Sequence, residues 1–219
     1  GQRKFMSTLW NSYAFYVLYA NIDRFDPSQH QPDPARLTVM DRWLLSKLNT
    51  MVKLVDEHLA NYRITESTRV LEDFVDQLSN WYVRRCRERF WVTDLTPDKI
   101  AAYQTLYTAL VTTAQAAAPM IPFMAESIYQ NLVCNLDPAA PESVHLTDYP
   151  IADESLINPG LEADMAQLLL AVALGRAGRN AANIKNRQPL ARMFIQAETP
   201  LDSLYCTIIK DELNVKSLE

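Results

Sequence analysis

The sequence predicts a mainly α fold: a helical bundle followed by a small α+β appendage at the carboxyl end. Three observations carry this prediction. No glycine occurs between Gln2 and Pro159, and tight hairpins draw on glycine for positive φ, which argues against a β-rich fold over that span. Apolar residues recur at three- and four-residue spacing in successive stretches, the mark of amphipathic helices. Beyond Pro189 the texture changes to short apolar runs.

The first helix is expected from about Arg3 to Ile22, with Phe5, Leu9, Tyr13, Tyr16 and Ala20 on one face. A polar, proline-bearing loop follows at Asp26–Pro34. Thr38 opens the second helix, whose apolar face is Leu44, Leu48, Met51, Val52, Val55 and Leu59. The third begins near Thr65 and carries Leu71, Phe74, Val75, Leu78 and Tyr82. Thr96-Pro97 reads as a cap with proline in the first turn of the fourth helix. Pro119 and Pro122 end that helix, and Ala125–Leu136 forms a short fifth. Residues 137–159 read as an irregular crossover and Leu161–Ile184 as the sixth helix. Met193–Gln196 is expected as a strand, Leu201–Leu213 as a helix and Val215 onward as a second strand. The division falls between a helical domain, 1–186, and a small truncated α+β module, 187–219.

Composition narrows the functional classes. With 219 residues, 48% of them apolar, the chain can bury a core without metals or disulfides. Cys86, Cys134 and Cys206 form no disulfide framework, which fits a reducing cytoplasm. His30, His58 and His145 lack ligand spacing to one another or to the cysteines, so no metal site is expected. No apolar run is long enough to span a membrane. The abrupt start at Gly1 and the end at Glu219 read as the edges of an excised segment.

A net charge of -5 hides two basic patches: residues 81–91 sum to +3 and residues 175–192 to +5. Helix geometry at ~100° per residue suggests how they lie. With Leu78 as zero, Arg85 falls near ~-20° and Arg89 near ~+20°, so the core stripe turns to arginine without leaving its face. Arg84 and Arg87 point roughly opposite. On the sixth helix, with Val172 as zero, Arg176 falls at ~+40°, Arg179 at ~-20° and Asn183 at ~+20°. Two readings stand side by side. Such arginines can pair with glutamates of neighbouring helices, or they can meet phosphates, with Trp81, Phe90 and Trp91 offering rings for unstacked bases. No phosphate-binding loop, nucleophile–base arrangement or paired-carboxylate site is present, so no catalytic residue is assigned. Gly175 and Gly178 lack a dinucleotide-site context and are expected to permit close helix packing.

Five blocks in order carry a family resemblance. Leu9-Trp10-Asn11-Ser12-Tyr13 through Asp23, Asp41-Arg42-Trp43-Leu44-Leu45-Ser46-Lys47-Leu48, and Asn80 through Trp91 are similar to isoleucyl-tRNA synthetases, the last block closest to their eukaryote-like branch. Arg176 through Leu190 resembles the later junction of those enzymes, and Asp211–Lys216 the module beyond. Cys86 departs from the family pattern, where serine is expected. The resemblance implies the anticodon-binding type of helical bundle found in class I synthetases. The segment would hold the anticodon stem-loop of tRNA(Ile) for a parent enzyme using ATP and magnesium, whose catalytic and editing domains lie elsewhere in the same chain. No cofactor is implied for the segment itself. The implied RNA contacts are Arg85, Arg89, Arg176 and Arg179 first, then Arg84, Arg87, Lys185 and Arg187, with Trp81, Trp91 and Asn183 beside them. A helical protein-interaction scaffold and the equivalent domain of a valyl or leucyl enzyme are the alternatives.

Overall fold

The computed structural model describes residues 2–196 and 202–219. Leu201, the expected start of the last helix, lies outside the described residues, as does Gly1. The chain forms two compact units, Gly1–Ile157 and Asn158–Glu219.

The first unit contains α1 (Gln2–Asp23), α2 (Val39–Ala60), α3 (Ile64–Gln77), α4 (Arg84–Trp91), α5 (Pro97–Ala117) and α6 (Pro122–Tyr129). Local chemistry sets the starts. Thr38 accepts the Asp41 N–H while the Asp41 carboxylate takes the Thr38 N–H at 2.8 Å, so two orphan donors are satisfied reciprocally. Thr96 caps α5, with Pro97 in its first turn. The helix ends show how the unit manages without glycine. Arg24 (φ 53°) and Tyr62 (φ 56°) adopt the left-handed conformation. They close α1 and α2 through Phe25 N–H to Ala20 O (2.9 Å) and Arg63 N–H to His58 O (2.8 Å). This is the six-to-one bond of a Schellman ending, usually built on glycine.

α5 is the central rod. Ala101, Ala102, Ala109, Ala114, Ala116 and Ala117 are all buried, and their small side chains let α2, α4 and α6 approach its backbone. A buried lysine ties this rod to α1: Lys99 Nζ lies 2.5 Å from the Asp23 carboxylate and donates to Val92 O at 2.5 Å. Asp23 also accepts from the Tyr103 hydroxyl.

The second unit is α7 (Pro159–Ala181) followed by β1 (Leu190–Met193), α8 (Ser203–Leu213) and β2 (Val215–Leu218). The two strands pair in parallel, Leu190 against Val215, with α8 as the crossover. β1 begins three residues before the expected strand. Pro189 has no N–H to donate, and pairing starts at once after it, where Leu190 N–H meets Asn214 O. The compact units meet at 157/158 rather than 186/187, because α7 packs against α8 and so belongs with the α+β part.

Gly175 permits that packing. A Cβ there would overlap the Leu213 side chain and stand 3.1 Å from Met193 Cε, whereas one at Gly178 would meet nothing. Gly175→Ala is therefore expected to destabilise by about 1–3 kcal/mol. Gly178→Ala should stabilise by about 0.5–1 kcal/mol. Opposite shifts of the denaturant midpoint at two glycines three residues apart would verify the close approach.

Candidate nucleic-acid interface

The run from α3 to α4 is interrupted by a π-helical segment, Leu78–Val83, and this decides which arginines face solvent. An extra residue in a turn rotates everything after it by about 100°. With that correction Cys86 falls at ~-20° and Phe90 at ~+20° of the Leu78 stripe, while Arg85 and Arg89 move to its flank. The burial agrees: Leu78, Tyr82, Cys86 and Phe90 form the continuous core stripe. The stripe does not turn to arginine; it stays apolar.

Arg89 is the clearest correction. Its guanidinium donates to both oxygens of the Asp41 carboxylate at 2.8 and 3.0 Å, and to the Asp98 carboxylate at 2.8 Å. Asp41 is fully buried and accepts the Tyr82 hydroxyl at 2.6 Å as well. Burial alone would push the Asp41 carboxyl up, but hydrogen bonds and charge from Arg89, with Tyr82 and Thr38, hold it below the ordinary range. Burial pushes the neighbouring Cys86 thiol up to about 11, so this cysteine is a core residue with an inert thiol. Arg89 binds helix to helix. Arg85 is half-buried on the flank of α4.

A different set lies off the core stripe: Arg87 and Trp91 are exposed, and Trp81 and Arg84 are half-buried. Arg84 lies 5.5 Å from the centre of the Trp81 ring and Arg87 lies 5.9 Å from that of Trp91. Spaced at 81, 84, 87 and 91, the four side chains form one stripe of indole, guanidinium, guanidinium and indole. Arg84 Nε donates to Asn80 O at 2.8 Å and Arg87 Nε to Arg84 O at 3.0 Å, which folds both heads back along the helix. Trp91 is 53% exposed and its indole N–H donates to the Tyr19 hydroxyl at 2.7 Å. Tyr19 is absent from the expected set, since its bond to Trp91 spans 72 residues and leaves no local spacing signal. A planar cation over a ring adds about 0.5–1 kcal/mol at an exposed site. Guanidinium and indole groups are the chemistry that phosphate oxygens and unstacked bases meet.

In the second unit the stripe of α7 runs as the periodicity predicts, through Met165, Leu168, Val172 and Arg179, but it is covered to its end. Arg179 is 4% exposed. It donates to the carbonyls of Lys185 (3.1 Å), Gln188 (3.0 Å), Leu213 (2.5 Å) and Asn214 (3.2 Å). Arg176 pairs with the buried Glu212 carboxylate at 2.6 Å. Both are committed to protein acceptors, because α8 and β2 close over the end of α7. Asn183 (φ 55°) supplies the left-handed turn that ends α7, and its side chain, with those of Lys185 and Arg187, is exposed. Arg89, Arg176 and Arg179 thus build the protein, while Arg87, Lys185 and Arg187 are exposed and Arg84, like Arg85, is half-buried.

Comparison with known proteins bears on what these surfaces meet. Residues 41–195 match the family model described as the anticodon-binding domain of tRNA ligase. The isoleucine–tRNA ligase of Clostridium novyi is 58% identical over the whole chain, and that of Clostridium tetani 54% identical over 99% of it. The isoleucine–tRNA ligase of Bacillus thuringiensis is 45% identical over 98% of the chain. The chain spans 21% of the length of the first two and 20% of the third. Since the family model covers most of its length, the chain belongs to the anticodon-binding domain family of tRNA ligases.

Proposed function

We propose that this chain is the segment of an isoleucine–tRNA ligase that grips the anticodon stem-loop of tRNA(Ile) in the cytoplasm. It holds the tRNA so that the acceptor end reaches a catalytic domain elsewhere in the same polypeptide. The observation that supports this reading is the Trp81–Arg84–Arg87–Trp91 stripe, a concentrated basic and aromatic patch on a chain of net charge -5. Guanidinium groups neutralise phosphates, and indoles receive unstacked bases. ATP and magnesium would serve aminoacylation in the parent enzyme. Among the described residues no three His, Cys, Asp or Glu side chains gather to hold a metal ion. No helix among them is long and apolar enough to cross a membrane.

The test is tRNA affinity at two salt concentrations. Binding should weaken with salt, because each neutralised phosphate releases counterions. Arg84→Glu with Arg87→Glu should lower affinity by roughly tenfold or more, with the thermal melt close to that of the wild type. Transcripts of isoleucine, valine and leucine tRNAs in competition identify the cognate. Equal binding of all three and of a non-nucleic polyanion would replace this reading with a scaffold that docks an acidic partner.

A further inference from the structure

The turn at 185–188 in the second unit has an unusual interior. All four of its consecutive carbonyls are captured from within the fold. Arg179 donates to Lys185 O and Gln188 O. The Asn214 carboxamide donates to Asn186 O at 3.3 Å and to Arg187 O at 3.0 Å. Asn214 is placed for this by its left-handed backbone (φ 49°) between α8 and β2, a conformation asparagine adopts more readily than most residues. The turn itself closes with Gln188 N–H to Lys185 O at 2.9 Å.

The side chains of Lys185, Asn186, Arg187 and Gln188 are exposed. The buried Arg179 charge is held by carbonyl oxygens, and no acidic residue occurs from 175 to 192. The outer surface of the turn therefore carries positive potential from its side chains and a fixed interior cation together.

We propose that Asn214 and Arg179 are positioning residues for RNA: they lock this turn from the inside so that Lys185 and Arg187 meet a backbone phosphate as a preformed cationic seat. The proposal rests on the tRNA-binding reading above and adds how the second unit takes part. Neither positioning residue touches the RNA. They act by removing the ordering cost that a free loop would meet on binding.

The experiment measures affinity of the 219-residue chain for a tRNA(Ile) transcript at several salt concentrations. It compares wild type, Lys185→Ala/Arg187→Ala, Asn214→Gly, and the combination of all three. Glycine keeps the left-handed backbone and removes only the carboxamide. Removing the two cations should weaken binding and flatten the salt dependence by roughly 0.7–0.9 for each phosphate no longer neutralised. Asn214→Gly should weaken binding about fivefold with an unaltered salt slope and a wild-type melt. It should have no further effect once Lys185 and Arg187 are gone, a coupling that a purely structural role would not produce. Asn214→Gly binding as wild type, or its deficit persisting in full without the two cations, overturns the proposal. So does an unweakened Lys185→Ala/Arg187→Ala variant, and in that case the Arg84 and Arg87 variants still report on the underlying reading. Salt-independent or absent binding by the wild type sinks both.

Discussion

Replacing Arg89 by methionine should lower the stability of the helical unit by about 3–5 kcal/mol, the scale of stranding one member of a buried ion pair. The stem volume is retained, so the effect isolates the guanidinium. Asp41 would remain fully buried, keeping bonds from Tyr82 and Thr38 but losing the only cation that pairs with it among the described residues. Arg87→Met is the matched control. Arg87 is exposed on the opposite side of α4, and its replacement should change stability by no more than about 0.5 kcal/mol. Denaturant titrations of the two variants decide the matter. Equal midpoints would mean that Arg89 does not hold the bundle and would return it to the set of RNA-contacting arginines.

The same pair predicts a pH dependence with a definite sign. The folded pKa of Asp41 lies below the ordinary carboxylate value. Its contribution is therefore complete above the unfolded value of about 4 and fades as pH falls through the lower folded value. Without Arg89 the folded value moves up, since burial loses its main opponent. The stability gap between wild type and Arg89→Met should then be widest near neutrality and narrow in acid. A gap of constant size from pH 7 to below pH 4 would show that the two groups are not coupled.

How much of the fold and site is legible in the sequence depends on the distance over which each feature is determined. Helix starts are legible because Thr38 and Thr96 cap within their own first turns. The close approach at Gly175 is legible because glycine in a helix interior costs stability unless packing needs it, but the same reasoning fails at Gly178, where a Cβ would meet nothing. The core face of α4 is not, although periodicity does turn Arg84 and Arg87 away from it. Periodicity assumes one winding throughout, and the π-helical turn at Leu78–Val83 has no local residue signature. Its trace in the sequence is the i, i+4 series Leu78, Tyr82, Cys86, Phe90, which follows from an inserted residue and which straight α geometry spreads around the helix. For α7 the angular reading is right and the expected exposure wrong. Whether Arg179 meets water depends on Leu213 and Asn214, 34 and 35 residues later, and on a strand pairing that no helical period encodes. Arginine on a core stripe therefore admits two outcomes, and the elements that follow it in the chain choose between them.

Arg179→Met carries that distinction into an experiment. If Arg179 is the interior clamp, its removal should cost the second unit about 3 kcal/mol, roughly what two buried carbonyls lose when left without donors. Lys185 O and Asn214 O each accept a backbone N–H besides, from Gln188 and Leu190, so the penalty falls mainly on Gln188 O and Leu213 O. The effect should be local. Hydrogen exchange at β1, α8 and β2 should accelerate, while α2 and α5 keep their protection, because the clamp lies wholly within Asn158–Glu219. Lys185→Met, which removes a cation of equal charge from the surface of the same turn, should leave exchange unchanged and weaken only tRNA binding. The two variants separate charge that builds the fold from charge that is offered to a ligand. Weakened binding by Arg179→Met with native exchange throughout the second unit would mean that its guanidinium meets the RNA directly, and the carbonyl clamp would have to be abandoned.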